Sequence, residues 1–209
     1  MSINNGSYGS LNKHYVNRIQ ETINKSVSEY PRTMLLRIDL RLPDTNVGSY
    51  NGDSTLVTRF IASLKSQVEA YFLKKQSEGK RVHRCHIRHI WAREFNQDGK
   101  KHYHLALLFN KDAYAYPGSY TPEDGEYTHN LAVMVMEAWV RTLNLHGSEY
   151  YQQYYSLVEF PENCYYHLNA NSADFSTQFT AVVDRVNYLA KEFSKVHSDG
   201  QRNFGCSQY

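Results

Sequence analysis

Apolar residues recur along this chain at two spacings, and the switches between them outline the elements. Residues 1–11 are polar and predict an irregular start. Over 12–28, Tyr15, Ile19, Ile23 and Val27 recur at steps of four, the stripe of a one-sided helix, which Pro31 closes. From Met34 to Leu42 the step drops to two, with Leu36, Ile38, Leu40 and Leu42 on one face and Leu35, Arg37, Asp39 and Arg41 on the other. That is a strand, ended by Pro43. The loop LPDTNVGSYNGD leads into a helix from Ser54 to about Gln76, capped by Asp53 or Ser54, with Leu56, Phe60, Leu64, Val68 and Tyr71 as its stripe.

Beyond the QSEGK turn, Val82 to Phe95 reads as a long strand, NQDGK as a tight turn and His102 to Asn110 as the hairpin partner. A Tyr-, Pro- and Gly-rich loop (113–126) precedes a helix over 129–143. Two strands flank FPEN within the tyrosine-rich stretch 150–168, a last helix spans 176–196, and the tail is short and irregular. The order predicts an α+β domain: an antiparallel sheet with helices packed on it.

Composition narrows the setting. With 209 residues, 41% of them hydrophobic, the chain suits one well-packed domain. No apolar run approaches the roughly 20 residues of a membrane span. The first residues lack the apolar core of a secretion signal. Three separated cysteines (Cys85, Cys164, Cys206) read as free thiols in a reducing compartment, so a cytoplasmic location is expected. A net charge of +2 neither requires nor excludes nucleic acid, because local clustering decides that. Lys74, Lys75, Lys80, Arg81, Arg84 and Arg88 form one cluster, Lys100 and Lys101 a second, and Lys191, Lys195 and Arg202 a third.

The strongest chemical feature is Glu94-FNQDGKK-His102-Tyr103-His104. Residues two apart on a strand share a face, so His102 and His104 present two imidazoles together. Tyr103 turns the other way with Leu105, Leu107 and Phe109. Across the turn, Glu94 becomes a cross-strand neighbour of the histidines. Two imidazoles and a carboxylate on one face can hold a divalent ion with positions left open for substrate. Asp39 is a further candidate, as a ligand, as a support to one, or as a salt-bridge partner of Arg37 or Arg41.

On the last helix, Val182, Val186, Leu189, Phe193 and Val196 form the apolar stripe, and Tyr188 lies about 120° from its middle. A tyrosine oxygen can form a covalent intermediate. Lys191, three residues on, can supply positive charge beside it or steady a phosphate.

Together these residues resemble the HUH endonucleases, whose pattern is histidine, hydrophobic residue, histidine, and then a tyrosine followed three residues later by lysine. Here those are His102-Tyr103-His104 and Tyr188-Leu-Ala-Lys191, with Glu94 upstream. At finer grain, RIDLR (37–41), WAREF (91–95), HYHLALLFNKDAY (102–114) and RNFGCS (202–207) look like the inovirus gene-two replication-protein family, over about residues 31–207. The resemblance implies an RRM/ferredoxin-like core over 31–209, with 1–30 as an N-terminal arm and helix. It implies Mg²⁺ or Mn²⁺ on His102, His104 and Glu94, with Asp39 remaining the further metal candidate, and Tyr188 as nucleophile assisted by Lys191. It further implies nicking of single-stranded DNA at a phage or prophage replication origin, with a 5′-phosphotyrosine intermediate. Tyr154 and Tyr155 are the next nucleophile candidates. Lys100, Lys101, Arg88, Lys195, Tyr114 and Tyr116 are candidate DNA contacts. No phosphate-binding GxxxxGK[ST] loop is present, so strand unwinding would need a partner such as a host helicase.

Two other functions fit parts of the pattern: a DNA-binding regulator without catalysis, and a non-haem Fe(II) oxygenase built on the same donor set. The helical stretches argue against the oxygenase, which normally sits in an all-β barrel. Metal dependence separates the enzymes: DNA cleavage supported by Mg²⁺ or Mn²⁺ is expected, and activity requiring Fe(II) and oxygen would reverse the assignment.

Overall fold

In a computed structural model the described residues are 2–5, 9–193 and 195–208. Residues 1, 6–8, 194 and 209, which fall in the expected start, last helix and tail, lie outside them. The chain opens with β1 (Ser2–Asn5) and β2 (Gly9–Asn12), an antiparallel hairpin in place of the expected irregular start. There follow α1 (Lys13–Glu29), β3 (Arg32–Leu40), a short α2 (Val47–Gly52) inside the expected loop, and α3 (Leu56–Ser77). Next come β4 (Arg88–Phe95), β5 (Lys101–Asn110) and α4 (Leu131–Thr142). A 3-10 turn (Tyr151–Leu157), β6 (Val158–Glu159) and β7 (Tyr165–Asn169) lead to α5 (Phe175–Asn187). A second 3-10 turn (Tyr188–Ala190) and β8 (Phe204–Cys206) end the chain.

The fold is α+β with an antiparallel six-stranded sheet, as the sequence order predicted. Its order is β6-β3-β5-β4-β8, and β7 also pairs with β3, beside the half that β6 leaves open. Both sheet faces are covered. Met34, Leu36, Ile38, Leu40, Tyr103, Leu105, Leu107 and Phe109 pack against α3 and α4. Leu35, Ile90, Ala92, Ala106 and Leu108 pack against Val16, Ile19 and Ile23 of α1 and Val182 and Val186 of α5. Strands buried on both sides carry apolar residues at nearly every position, which is why Met34 to Leu42 read more apolar than a half-exposed strand needs. Among the described residues, no helix is long and apolar enough to cross a membrane.

Three further expected elements are corrected. The long strand over 82–95 is regular only from Arg88. Before it, the chain is tied irregularly, with the Asn110 amide on Cys85 Sγ and the Asn110 side chain on the Arg84 carbonyl. The expected irregular tail instead adds β8 to β4, with Gly205 opposite Trp91. A Cβ at Gly205 would lie 2.6 Å from the indole, so only glycine admits the tryptophan there. The helix expected over 176–196 stops at Asn187. After the Tyr188–Ala190 turn, Lys191 is extended and bridges Leu11 of β2, while the Glu192 amide donates to the Ser10 carbonyl. The N-terminal hairpin has pulled the chain out of the helix. Phe193, expected in the apolar stripe, is 81% exposed.

Arg93 anchors the segment that follows. Its side chain is 1% exposed and holds Asp199 through both carboxylate oxygens, at 2.5 and 2.9 Å, and Asn203 Oδ1 at 2.7 Å. The hydrogen bond from Arg93, more than its charge, holds Asp199 at about pKa 2, against a small cost of burial. Replacing Arg93 by Met is expected to cost about 3 kcal/mol in urea unfolding, because the buried Asn203 and the more exposed Asp199 and Gln201 lose their donor at once. A carboxylate held low stabilises the fold in full above its unfolded value near 4. That stability fades as pH falls through about 2. The variant should therefore lose part of the wild type's acid sensitivity in this window.

Candidate functional site

The hairpin β4–β5 sets the site. The turn closes with the Asn96 amide on the Lys100 carbonyl, the Lys100 amide on Asn96 Oδ1, and Gly99 at positive φ, where glycine carries no steric penalty. This turn puts Glu94 directly opposite His102, and Ala92 opposite His104. On the other side of β5, Asp39 is opposite His104. All four polar side chains therefore share the face covered by α1 and α5.

Their atoms converge. His102 Nε2 and His104 Nε2 are 3.2 Å apart, although the residues are two positions apart on an extended strand. Glu94 Oε2 lies 3.3 Å from His104 Nε2. One donor atom from each of Glu94, His102 and His104 falls within 4.8 Å of the others, near enough to hold a metal ion. Two ligands at right angles on an ion with bonds of about 2.1–2.2 Å are roughly 3 Å apart, so these separations suit a single small divalent cation. His104 Nδ1 faces Asp39 Oδ1 at 2.6 Å, and Asp39 is itself held by Arg37 at 3.2 Å. An imidazole whose Nδ1–H points at a carboxylate presents its Nε2 lone pair in a fixed direction, the usual support of a metal-binding histidine.

The charges bear out this crowding. Burial works against a charged Glu94, but His104 first, then Lys191 and Lys195, outweigh it and hold its pKa at about 2. Burial also opposes a charged His104, yet Asp39 and Glu94 prevail and hold it above the ordinary imidazole value. His102 is pushed below that value by burial and then by the charge of His104. Three acceptors facing one another require a positive centre among them, either a proton or a cation.

The segment after α5 completes the arrangement. The Tyr188 ring stands edge-on to His104, with centroids 5.1 Å apart and planes at 88°. Lys191 Nζ lies 3.7 Å over the Tyr188 ring and 3.1 Å from Glu94 Oε2. Lys195, whose side chain is fully enclosed, lies 3.6 Å from Glu94 Oε1 and donates to the Lys191 carbonyl at 2.5 Å. Burial lowers Lys195 to about pKa 8, with Glu94 partly offsetting the loss. An open cavity of about 350 Å³, lined by Asp39, Arg41, Asn96, Lys100, His102 and His104, leads to the histidines.

The family model of the YagK/YfjJ C-terminal domain matches residues 1–207. The chain belongs to this family. It is 38% identical over 209 residues to the Uncharacterized protein YagK of Escherichia coli (strain K12), covering 97% of this chain and 96% of that one. It is 31% identical over 211 residues to the Uncharacterized protein YfjJ of the same organism, with the same coverage of both chains. No solved structure matches.

In this YagK/YfjJ domain, Glu94, His102, His104, Tyr188 and Lys191 come together. Asp39 stands behind His104 and pairs with Arg37, so of the roles open to it the geometry favours support and salt bridge over direct ligation. Four expected DNA contacts are corrected because they are buried and engaged inside the fold. Arg88 pairs with Glu29, and Lys101 donates to the carbonyls of Asn51 and Asp53. Tyr114 packs against Phe72 and Phe109, and Lys195 faces Glu94. Lys100 lines the cavity and pairs with Asp44, and Tyr116 is exposed on the opposite side of the sheet. Tyr155 is buried against Glu137, and Tyr154 packs beside it, so neither approaches the histidines. Sequence reasoning offered Lys195 as a DNA contact and missed its place beside Glu94. The only signal was its four-residue step from Lys191, which surface lysines share.

Asp39→Asn keeps the shape of the support but removes its charge. It is expected to weaken Mn²⁺ binding about 10- to 100-fold by calorimetry. Asp44→Asn, at an exposed site, should leave that affinity unchanged. Equal affinity in both variants would remove Asp39 as the support of a metal-binding His104.

Proposed function

We propose that this chain is a metal-dependent DNA endonuclease and strand transferase of the HUH kind, which nicks and rejoins single-stranded DNA at a replication origin of a filamentous phage or prophage. One observation carries the reading: Tyr188 and Lys191 arrive from a distant segment onto the Glu94–His102–His104 cluster. A metal-binding cluster alone fits many functions. A cluster with a tyrosine against one ligand and a lysine between that ring and another fits phosphodiester transfer to tyrosine.

Tyr188 supplies the attacking oxygen. As its O–P bond forms, the P–O3′ bond of the strand breaks, the phenolic proton is released, and the departing O3′ takes up a proton as a free 3′-hydroxyl. The 5′-phosphotyrosine conserves the bond, and attack by a 3′-hydroxyl reverses the step and rejoins the strand. Lys191 lies over the Tyr188 ring, where its charge meets the negative charge that grows during transfer. Glu94, His102 and His104 would hold Mg²⁺ or Mn²⁺, which supplies Lewis-acid polarisation of the scissile phosphate. Asp39 keeps His104 aimed, and Lys100 lines the cavity, where it would meet a backbone phosphate. The setting this implies is the cytoplasm of a bacterial host, with a host helicase as the unwinding partner.

The test uses single-stranded oligonucleotides tiled across the element's own intergenic DNA, with Mg²⁺ or Mn²⁺. Wild-type protein is expected to give a covalent protein–DNA band on a denaturing gel. Tyr188→Phe should bind equally and give no band. Wild-type protein that binds one tile and never forms the band would favour the non-catalytic regulator. Cutting by Tyr188→Phe at the wild-type rate would remove Tyr188 as nucleophile.

A further inference from the structure

The opposite face of the sheet carries a second set of features that the cleavage site does not use. Along α3 and α4 lie two adjoining cavities of about 500 and 340 Å³, which share Tyr71 and His129 and so form one groove. It runs beside α4 from Leu131 at its start to Arg141 in its last turn, roughly 15 Å at 1.5 Å per residue. Three cations line it: Lys74, Lys75 and Arg141. No carboxylate lines either cavity among the described residues. The nearest acidic partners are weak competitors. Glu137 stands 3.7 Å from Arg141. Glu78, held low chiefly by Lys80, is exposed beyond the end of α3.

Aromatic rings punctuate the same groove. Lys75 Nζ lies 4.6 Å over the Tyr71 ring, and His129 tilts against Tyr71 at 5.2 Å. Tyr116 is 59% exposed yet not loose, because its ring is braced by Tyr165 at 5.5 Å and by His167 at 5.3 Å. His167 is in turn fixed to the Ala115 carbonyl at 2.6 Å. A braced, solvent-facing ring offers a stacking surface whose ordering cost is already met by the fold. Cations that track a backbone, interleaved with rings that accept any base, are the two components of sequence-tolerant single-strand binding. An acidic peptide would use the cations but leave the rings idle.

We propose that the α3–α4 groove binds a single-stranded nucleic acid, separately from the cleavage site. Tyr71 packs on the α3–α4 side of the sheet and Tyr188 on the α1–α5 side, so one nucleotide cannot touch both. The groove therefore holds a segment other than the one at Tyr188. It does not depend on cleavage and stands or falls apart from the proposed nicking.

The probe is a fluorescein-labelled oligothymidylate of about 20 nucleotides, followed by anisotropy across a salt series. Lys74→Glu/Lys75→Glu/Arg141→Glu is expected to weaken binding at least about 10-fold and to flatten the log–log salt slope by about 2, as loss of three phosphate contacts requires. Tyr116→Ala, at an exposed position, should weaken it about 5-fold or more with the slope unchanged. His102→Ala/His104→Ala removes the donors of the cleavage site, and the part of the binding and salt slope that depends on Lys74, Lys75 and Arg141 is expected to persist in it. Unchanged affinity and slope in the charge-reversed protein, with its circular dichroism intact, would overturn the proposal. So would loss of binding in the histidine variant alone, which would assign all binding to the cleavage site. Tight binding of a duplex of equal length, insensitive to Tyr116→Ala, would overturn the single-strand assignment.

Discussion

Glu94 is the constraint around which the rest of the site is arranged. Its residue is 3% exposed. A carboxylate that deep must be neutralised or lose its charge, because desolvation alone costs several kcal/mol. This one stays charged by drawing three positive or positively poised groups from two parts of the chain: His104 from β5, and Lys191 and Lys195 from the segment after α5. Each of these is itself buried, so none can be removed without stranding the others. The cluster is thus a tertiary lock whose donor atoms are also near enough to hold a metal ion.

That lock explains why the last helix ends where it does. A continuous helix through Lys195 would carry Lys191 and Lys195 away along one axis. Instead the backbone leaves the helix at Tyr188, Lys191 bridges to Leu11, and both ammonium groups turn onto the same carboxylate. The N-terminal hairpin therefore bears on the site without contributing a ligand, and Asn12 adds a side-chain hydrogen bond to Glu192 at 3.2 Å. One residue before Glu94, Arg93 points to the other face and holds Asp199 and Asn203. Neighbouring strand positions thus fasten the C-terminal segment on both sides of the sheet.

The two sheet faces divide the molecule chemically. The α1–α5 face carries the titratable cluster in a confined space, where burial strengthens each ionic interaction. The α3–α4 face carries a larger apolar core, with cations and rings confined to its outer groove. The first environment suits the proposed cleavage, and the second suits the proposed strand track. The central strand β5 separates them, with His102 and His104 on one side and Tyr103 and Leu105 on the other.

The sequence by itself determined what local chain geometry controls. The period-two alternation placed His102 and His104 on one face and Tyr103 on the other. The five-residue turn NQDGK brought Glu94 opposite His102, because a hairpin's register follows from its turn. The α+β class and most elements were legible for the same reason. Tertiary structure decided the rest. Whether Lys101, Arg88, Tyr114 and Lys195 face solvent or each find a partner inside depends on contacts between segments far apart in the chain, which no local period encodes. The break at Tyr188 depends on a strand near residue 11 capturing residue 191. That interaction exists only once both segments have been brought to the same sheet face, because the energy that ends the helix comes from the partner and not from the helix.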